Sequence, residues 1–220
     1  MAHPNTWVRS SIGRKFLMAA TGALLVLFVI GHMIGNLQIY QGPAALNAYA
    51  EWLRDLGHGA ALWTARLVLL AAVVVHVVAA VSLARENQAA RPVPYYRLVP
   101  SASTYASRTL LWSGPILALF IVYHVLHFTT GQAHPAFDPG DVYHNVIVGF
   151  RTPWVSGFYV LSMLALGLHL HHGVWSMTQS FGWSHPRIDA LRRQLALGVT
   201  VLVVAGNVSI PVSVLIGWVR

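Results

Sequence analysis

No cysteine occurs anywhere in the chain. That absence excludes disulfides, iron–sulfur clusters held by thiolates, covalently attached haem and thiol catalysis together. Acidic residues are nearly as scarce, six in 220 residues, and charged side chains of either sign make up only 9%. A soluble protein carries roughly a quarter. With 56% of residues hydrophobic, too few polar groups remain to cover a water-soluble globule, so lipid is the solvent this chain suits. Missing too are a Gly-x-Gly-x-x-Gly fingerprint after a strand and a phosphate-binding P-loop, so no flavin or nucleotide is held in the familiar ways. The formal net charge is +8, yet the basic residues gather at the ends of apolar runs. There they act as topology signals and headgroup contacts, not as a nucleic-acid surface.

What is present is a set of five apolar runs, at 15–40, 62–85, 108–131, 154–179 and 191–219. Each is long enough to cross a hydrocarbon layer of about 30 Å as a helix. The first is too long for a signal-peptide core and lacks a small-x-small cleavage site, so it is expected to be retained. Gln41-Gly42-Pro43, Arg91-Pro92-Val93-Pro94, Ala133-His134-Pro135, Asp138-Pro139-Gly140 and Ser184-His185-Pro186 punctuate the connections. The predicted fold is an all-α integral membrane protein, a single domain over 1–220 built as a five-transmembrane-helix bundle. Of the fourteen Lys and Arg residues, ten fall on the side of the N-terminus: Arg9, Arg14, Lys15, Arg85, Arg91, Arg97, Arg108, Arg187, Arg192 and Arg193. The other side holds Arg54, Arg66, Arg151 and Arg220. The positive-inside rule then puts the N-terminus in the cytoplasm and the C-terminus outside, with the chain in a bacterial cytoplasmic membrane.

Twelve histidines stand against those six acids, and several lie inside apolar runs, where a polar side chain is costly and signals function. His32 lies in the first run, His76 in the second, His124 and His127 in the third, and His169, His171 and His172 in the fourth. At about 1.5 Å per residue, His32 and His124 share one depth, roughly 6 Å outward of the middle. His76 and His169 share another, roughly 4 Å toward the cytoplasm. Two imidazoles at one depth on different helices are what a low-spin haem takes as axial ligands, and two layers would form a stacked electron path. Spacing leaves His127 and His172 as rivals, each three residues from a favoured ligand. His171 points away from His169, while His3, His58, His134, His144 and His185 fall in tails or loops. Gly31, Gly35, Gly167 and Gly173 would let a flat macrocycle approach the backbone, with helix packing an equal account of Gly31-x-x-x-Gly35.

These motifs carry a resemblance. Ile30-Gly31-His32-Met33-Ile34-Gly35-Asn36 with Ala45-Leu46-Asn47, then Val75-His76-Val77, then Gly114 through Tyr123-His124-Val125, lead to Leu168-His169-Leu170-His171-His172-Gly173-Val174-Trp175-Ser176 and Phe181-Gly182-Trp183. Across nearly its whole length the chain resembles the di-haem cytochrome b membrane subunit of succinate:quinone and fumarate:quinone oxidoreductases, the five-helix type with one anchor polypeptide. A histidine four residues before Gly-x-Trp-Ser is the most specific part. The resemblance implies two haems b, the distal one on His32 and His124 and the proximal one on His76 and His169, these four being the axial ligands of the haem iron.

It further implies a cytoplasmic flavoprotein subunit and an iron–sulfur subunit as partners. Succinate is oxidised on those partners, and electrons reach quinone (menaquinone in this class) through the haems, or travel in reverse to reduce fumarate. Glu51 is the candidate for handling quinone protons, with a solvated carboxylate at a helix start as its plainer account and Asp55 the other acid nearby. Asn36 and Gln38 are candidates for polar contacts to haem or quinone, or for capping and packing. Two alternatives predict other outcomes. One is the cytochrome b subunit of a formate dehydrogenase or hydrogenase, whose partners carry molybdenum or nickel. The other is a non-haem anchor or transporter, which would bind no haem.

Overall fold

The computed structural model describes residues 10–90 and 105–220. His3, Arg9, Arg91, Arg97 and the Pro92–Pro94 punctuation lie outside the described residues, as does the side chain of Arg108. Among the described residues every regular element is helical: α1 (Ser11–Asn36, continued by a 3-10 turn Leu37–Gln41), α2 (Pro43–Asp55), α3 (Ala60–Ala89), α4 (Tyr105–Phe128), α5 (Val142–Phe150), α6 (Pro153–Ser180) and α7 (Pro186–Leu215). Local chemistry sets the boundaries. Ser10 caps α1, its Oγ accepting from the Gly13 N–H at 3.0 Å. Prolines open α2, α6 and α7, where a missing N–H costs nothing. Gly42, at φ 95°, turns the chain from the 3-10 segment into α2 through a conformation closed to other residues.

Four helices are long and apolar enough to cross a membrane: α1 with its 3-10 extension, α3, α6 and α7. Their outward faces are apolar and bare, with Leu27 69%, Val78 62% and Leu161 67% exposed. Such a surface is stable against lipid rather than water. Exposed tryptophans mark its two rims, Trp52, Trp63, Trp154 and Trp218 toward one end and Trp112 and Trp183 toward the other. The helix at the third predicted run, α4, is 24 residues long. Its described apolar stretch, Trp112–Phe128, is shorter than the other four.

Two elements depart from the sequence expectation. Residues 43–55 and 142–150 are not plain connections but the helices α2 and α5. Both lie at the end of the bundle where α1 and α4 finish, called here the capped end. They are tied by Asn47, whose Nδ2 donates to Asp141 Oδ1 at 2.9 Å while its Oδ1 accepts from the Tyr143 N–H at 2.9 Å. Tyr143 Oη in turn donates to the Arg220 carbonyl at 2.8 Å. At the opposite end Arg14 pairs with Glu86 at 2.8 Å and bonds Ser82, fixing α1 antiparallel to α3, and Phe16 meets Phe181, the residue after α6, at 5.7 Å.

The basic residues divide between these ends as the sequence implied. Arg54, Arg66, Arg151 and Arg220 lie at the capped end, with Arg14, Lys15, Arg85, Arg187, Arg192 and Arg193 at the other. Arg192, however, is buried, bonded to Thr178 Oγ1, the Trp175 carbonyl and Asp189.

The packing order matters for function. Helix α1 packs against α3 and α6, and α6 packs against α1, α4 and α7. Neither α1 with α4 nor α3 with α6 forms a packed pair. In the packed order α3, α1, α6, α4, in which α3 and α4 also form no packed pair among the described residues, these are the second-neighbour pairs, called the diagonals here; α7 packs on α6 and on α1.

Candidate functional site

Each diagonal carries a histidine pair. The rings of His32 (α1) and His124 (α4) have centroids 5.8 Å apart, at 89°. Those of His76 (α3) and His169 (α6) are 6.2 Å apart, at 58°. The two levels are well separated. His76 touches α1 at Thr21, eleven residues before His32, or roughly 16 Å along the helix axis. The structure therefore brings together the four side chains singled out in the sequence, in the same two pairs, on helices whose backbones stand apart.

Hydrogen bonding sets which ring nitrogen is available at His76. Nδ1 of His76 lies 3.1 Å from the Met18 carbonyl oxygen and 3.2 Å from Thr21 Oγ1. A carbonyl can only accept, and the Thr21 hydroxyl is already donated to the Leu17 carbonyl at 2.7 Å. His76 Nδ1 is therefore the protonated nitrogen, leaving the Nε2 lone pair bare. Nδ1 of His169 lies 3.4 Å from Ser113 Oγ, which is itself 3.5 Å from the Leu110 carbonyl. His124 Nδ1 lies 3.3 Å from the Tyr159 hydroxyl. His32 has no such bond and instead stacks on Phe28, with centroids 5.3 Å apart at 19°.

Whether these residues fit a haem can be tested on that geometry. Two imidazoles bonded to one metal, each at roughly 2 Å through nitrogen, have ring centres roughly 6 Å apart. Either angle between ring planes is allowed, because each ring turns about its own metal bond. An imidazole whose Nδ1–H is held by a carbonyl or hydroxyl and whose Nε2 is free is the usual second shell of a ligating histidine. A side chain added at Gly31, Gly114 or Gly173 would meet nothing within 4 Å. The spacing and the donor set fit, while the open side of Gly31, like His32 itself, is exposed. Among the described residues no group of three or more His, Cys, Asp or Glu side chains is placed to hold a metal ion; a bis-imidazole haem takes two.

The rivals are placed elsewhere. His127 is fully buried, with Nδ1 3.0 Å from Tyr159 Oη and its ring 5.0 Å from that of His134. It lies against α5, where a Cβ on Gly149 would meet its Cε1 at 2.8 Å. His171 and His172 line a small pocket with Trp175, Arg193 and Ala196, toward α7. His185 is exposed in the connection that caps α7 and His144 is exposed on α5, whereas His134 is part-buried, its Nε2 donating to the Asn145 carbonyl at 2.9 Å.

Two glycines expected beside a macrocycle serve packing instead. A Cβ at Gly35 would meet Tyr49 Oη at 2.5 Å, and one at Gly167 would meet Val204 Cγ2 at 2.8 Å. Glu51 is exposed and lines an open groove of about 570 Å³ at the capped end with Asn47, Arg54, Asp55 and Gly140. No histidine borders that groove. Asn36 makes no side-chain cap bond, and Gln38 is half-buried in the 3-10 turn. The residue that sequence reasoning missed is Tyr159. As one of eight tyrosines with no motif around it, it becomes notable only when α6 sets its hydroxyl between two histidines of α4. Neither the sequence nor the fold matches any protein-family model, curated protein or solved structure.

Proposed function

We propose that this chain is the membrane-anchor and electron-transfer subunit of a succinate:quinone oxidoreductase, working toward menaquinone or in the fumarate-reducing direction. One observation carries the proposal: two pairs of imidazoles across the diagonals of a membrane bundle, each pair at the spacing of axial ligands. His32 with His124 and His76 with His169 would each hold one haem b. Haem bound at both levels would supply two one-electron carriers between a redox partner at one membrane face and quinone at the other. The chain's own residues orient the imidazoles, His76 through the Met18 carbonyl with its Nε2 left free, and His32 by stacking on Phe28.

Helix α4 counts as the fifth span in this reading, since it packs against α6 and delivers His124 to the level of His32. The end opposite the cap, rich in arginine, would face the cytoplasm and receive an iron–sulfur and a flavoprotein subunit. The quinone site stays with Glu51 only as a proposal, because its groove holds none of the four imidazoles.

The test is purification of the intact assembly, with haem counted per polypeptide and the accompanying subunits identified. Two haems per chain, a reduced-minus-oxidised b-type spectrum and a covalent flavoprotein are expected. A colourless preparation would sink the haem assignment, and partners carrying molybdenum or nickel would move the chain to a formate dehydrogenase or hydrogenase.

A further inference from the structure

The Tyr159 hydroxyl stands between two imidazoles of α4, 3.3 Å from His124 Nδ1 and 3.0 Å from His127 Nδ1. Tyr159 is 5% exposed and His127 0%, so water does not compete for these bonds. A phenol has one proton to donate. It can give that proton to only one of the two nitrogens, and the other must be a donor to it. Geometry alone allows either direction.

Coordination selects one of them. A His124 that binds metal through Nε2 must carry its proton on Nδ1 and donate it to Tyr159 Oη. The phenol proton then goes to His127 Nδ1, and His127 keeps its own proton on Nε2. The reverse direction would place a proton on His124 Nε2 and forbid ligation. His127 is enclosed: its Nε2 is buried with no partner among the described residues, and α5 closes over it at Gly149. His134 offers no exchange, since its Nε2 donates to the Asn145 carbonyl and its Nδ1 accepts from the Ala136 N–H at 3.1 Å.

Resting on the haem reading above, we infer that Tyr159 and His127 are positioning residues that polarise His124 and lower the midpoint potential of the haem at the capped end. Each bond in the run His124 N–H to Tyr159 O–H to His127 N strengthens the next. A ligand whose N–H is drawn outward is a better electron donor, and this favours ferric over ferrous iron. At the other pair the acceptors end in backbone: His76 donates to the Met18 carbonyl, and His169 stands 3.4 Å from the Ser113 hydroxyl, itself 3.5 Å from the Leu110 carbonyl. The Tyr159–His127 relay touches only the level of His32 and His124, so its removal should shift one haem and leave the other.

The experiment is a redox titration of the purified assembly, followed through the b-type absorbance, for wild type, Tyr159→Phe and His127→Leu. Tyr159→Phe keeps the ring and removes both bonds. One midpoint should rise while the other stays at its wild-type value. His127→Leu leaves the phenol able to accept from His124 but takes away its own acceptor, so the same midpoint should rise by less. Two haems with unchanged midpoints in Tyr159→Phe would overturn the relay and leave the haem assignment standing, whereas wild type without haem would overturn the assignment itself. If Tyr159→Phe does not assemble, His127→Leu decides, and a midpoint that is unmoved or lowered there refutes the inference.

Discussion

Met18 of α1 offers its carbonyl oxygen to Nδ1 of His76 on α3, 3.1 Å away. The bond is unusual because Met18 belongs to a helix whose carbonyls are otherwise committed along its own axis, and it orients His76 toward α6. Replacement of His76 by Leu removes the imidazole without opening the bundle to water. The expected result is loss of one haem of two, seen as a halved b-type absorbance per polypeptide, with the remaining haem unchanged in its midpoint. His169→Leu should give the same product. A variant of either position that keeps both haems would refute the pairing.

Asn47 joins α2 to α5 through two bonds, one donated to Asp141 and one accepted from the Tyr143 N–H. Truncation to Ala removes both bonds, leaving the Tyr143 N–H without its acceptor and Asp141 with only the His144 N–H, in a half-buried seam. Each lost bond of this kind costs about 0.5–1.5 kcal/mol, more where a partner stays desolvated. A loss of roughly 1–3 kcal/mol in unfolding free energy is expected. Hydrogen exchange should rise first in α5, while the spectrum of the haem proposed for His76 and His169 stays as in wild type.

Asp141 caps α5, and its carboxyl is held below the usual carboxylate range, first by the His144 N–H and then by the Asn47 amide. Its folded-state pKa is thus depressed. The contribution to stability is fully present above the unfolded value of about 4 and is lost as pH falls through the lower, folded value. Amide exchange in α5 should therefore accelerate on acidification below about pH 4. Asp141→Asn retains a cap oxygen but has no charge to titrate, and its α5 exchange should be free of that pH step. The same step persisting in Asp141→Asn would assign it to another group.

How much of this was legible beforehand depends on what each residue needs in order to be recognised. A long apolar run declares a membrane helix by composition alone, and a histidine within it declares itself by cost. Depth along a helix follows from counting residues, so His32 could be matched to His124 and His76 to His169 before any fold existed. Helix α2 was hidden because its mean hydropathy is low, although Leu46, Tyr49 and Leu53 already repeat on one helical face. Helix α5 has nine residues, too few for periodicity to show. Tyr159 could not be found by any count, since its role exists only between two side chains of another helix.

Gly31-x-x-x-Gly35 illustrates the same limit and gives a sharper test. From sequence the two glycines are equivalent, four residues apart on one face of α1. In the fold they part company. A methyl at Gly35 would strike the Tyr49 ring at Oη, Cε1 and Cζ, all within 2.8 Å, and Tyr49 is anchored on α2. A methyl at Gly31 would meet nothing within 4 Å. Overpacking of a fitted contact costs about 1–3 kcal/mol, whereas Gly to Ala in an open helix position gains up to about 1 kcal/mol. Gly35→Ala should therefore lower the thermal midpoint of the purified protein, and Gly31→Ala should leave it level or raise it. Circular dichroism on the haem-free protein measures this difference without interference from a cofactor. In the haem-loaded protein Gly31→Ala becomes a probe of the flat group itself, since crowding beside His32 would lower haem retention at the capped end alone. Equal destabilisation by the two substitutions in the haem-free protein would show that Gly31 also meets a packed surface, and would remove it from the site.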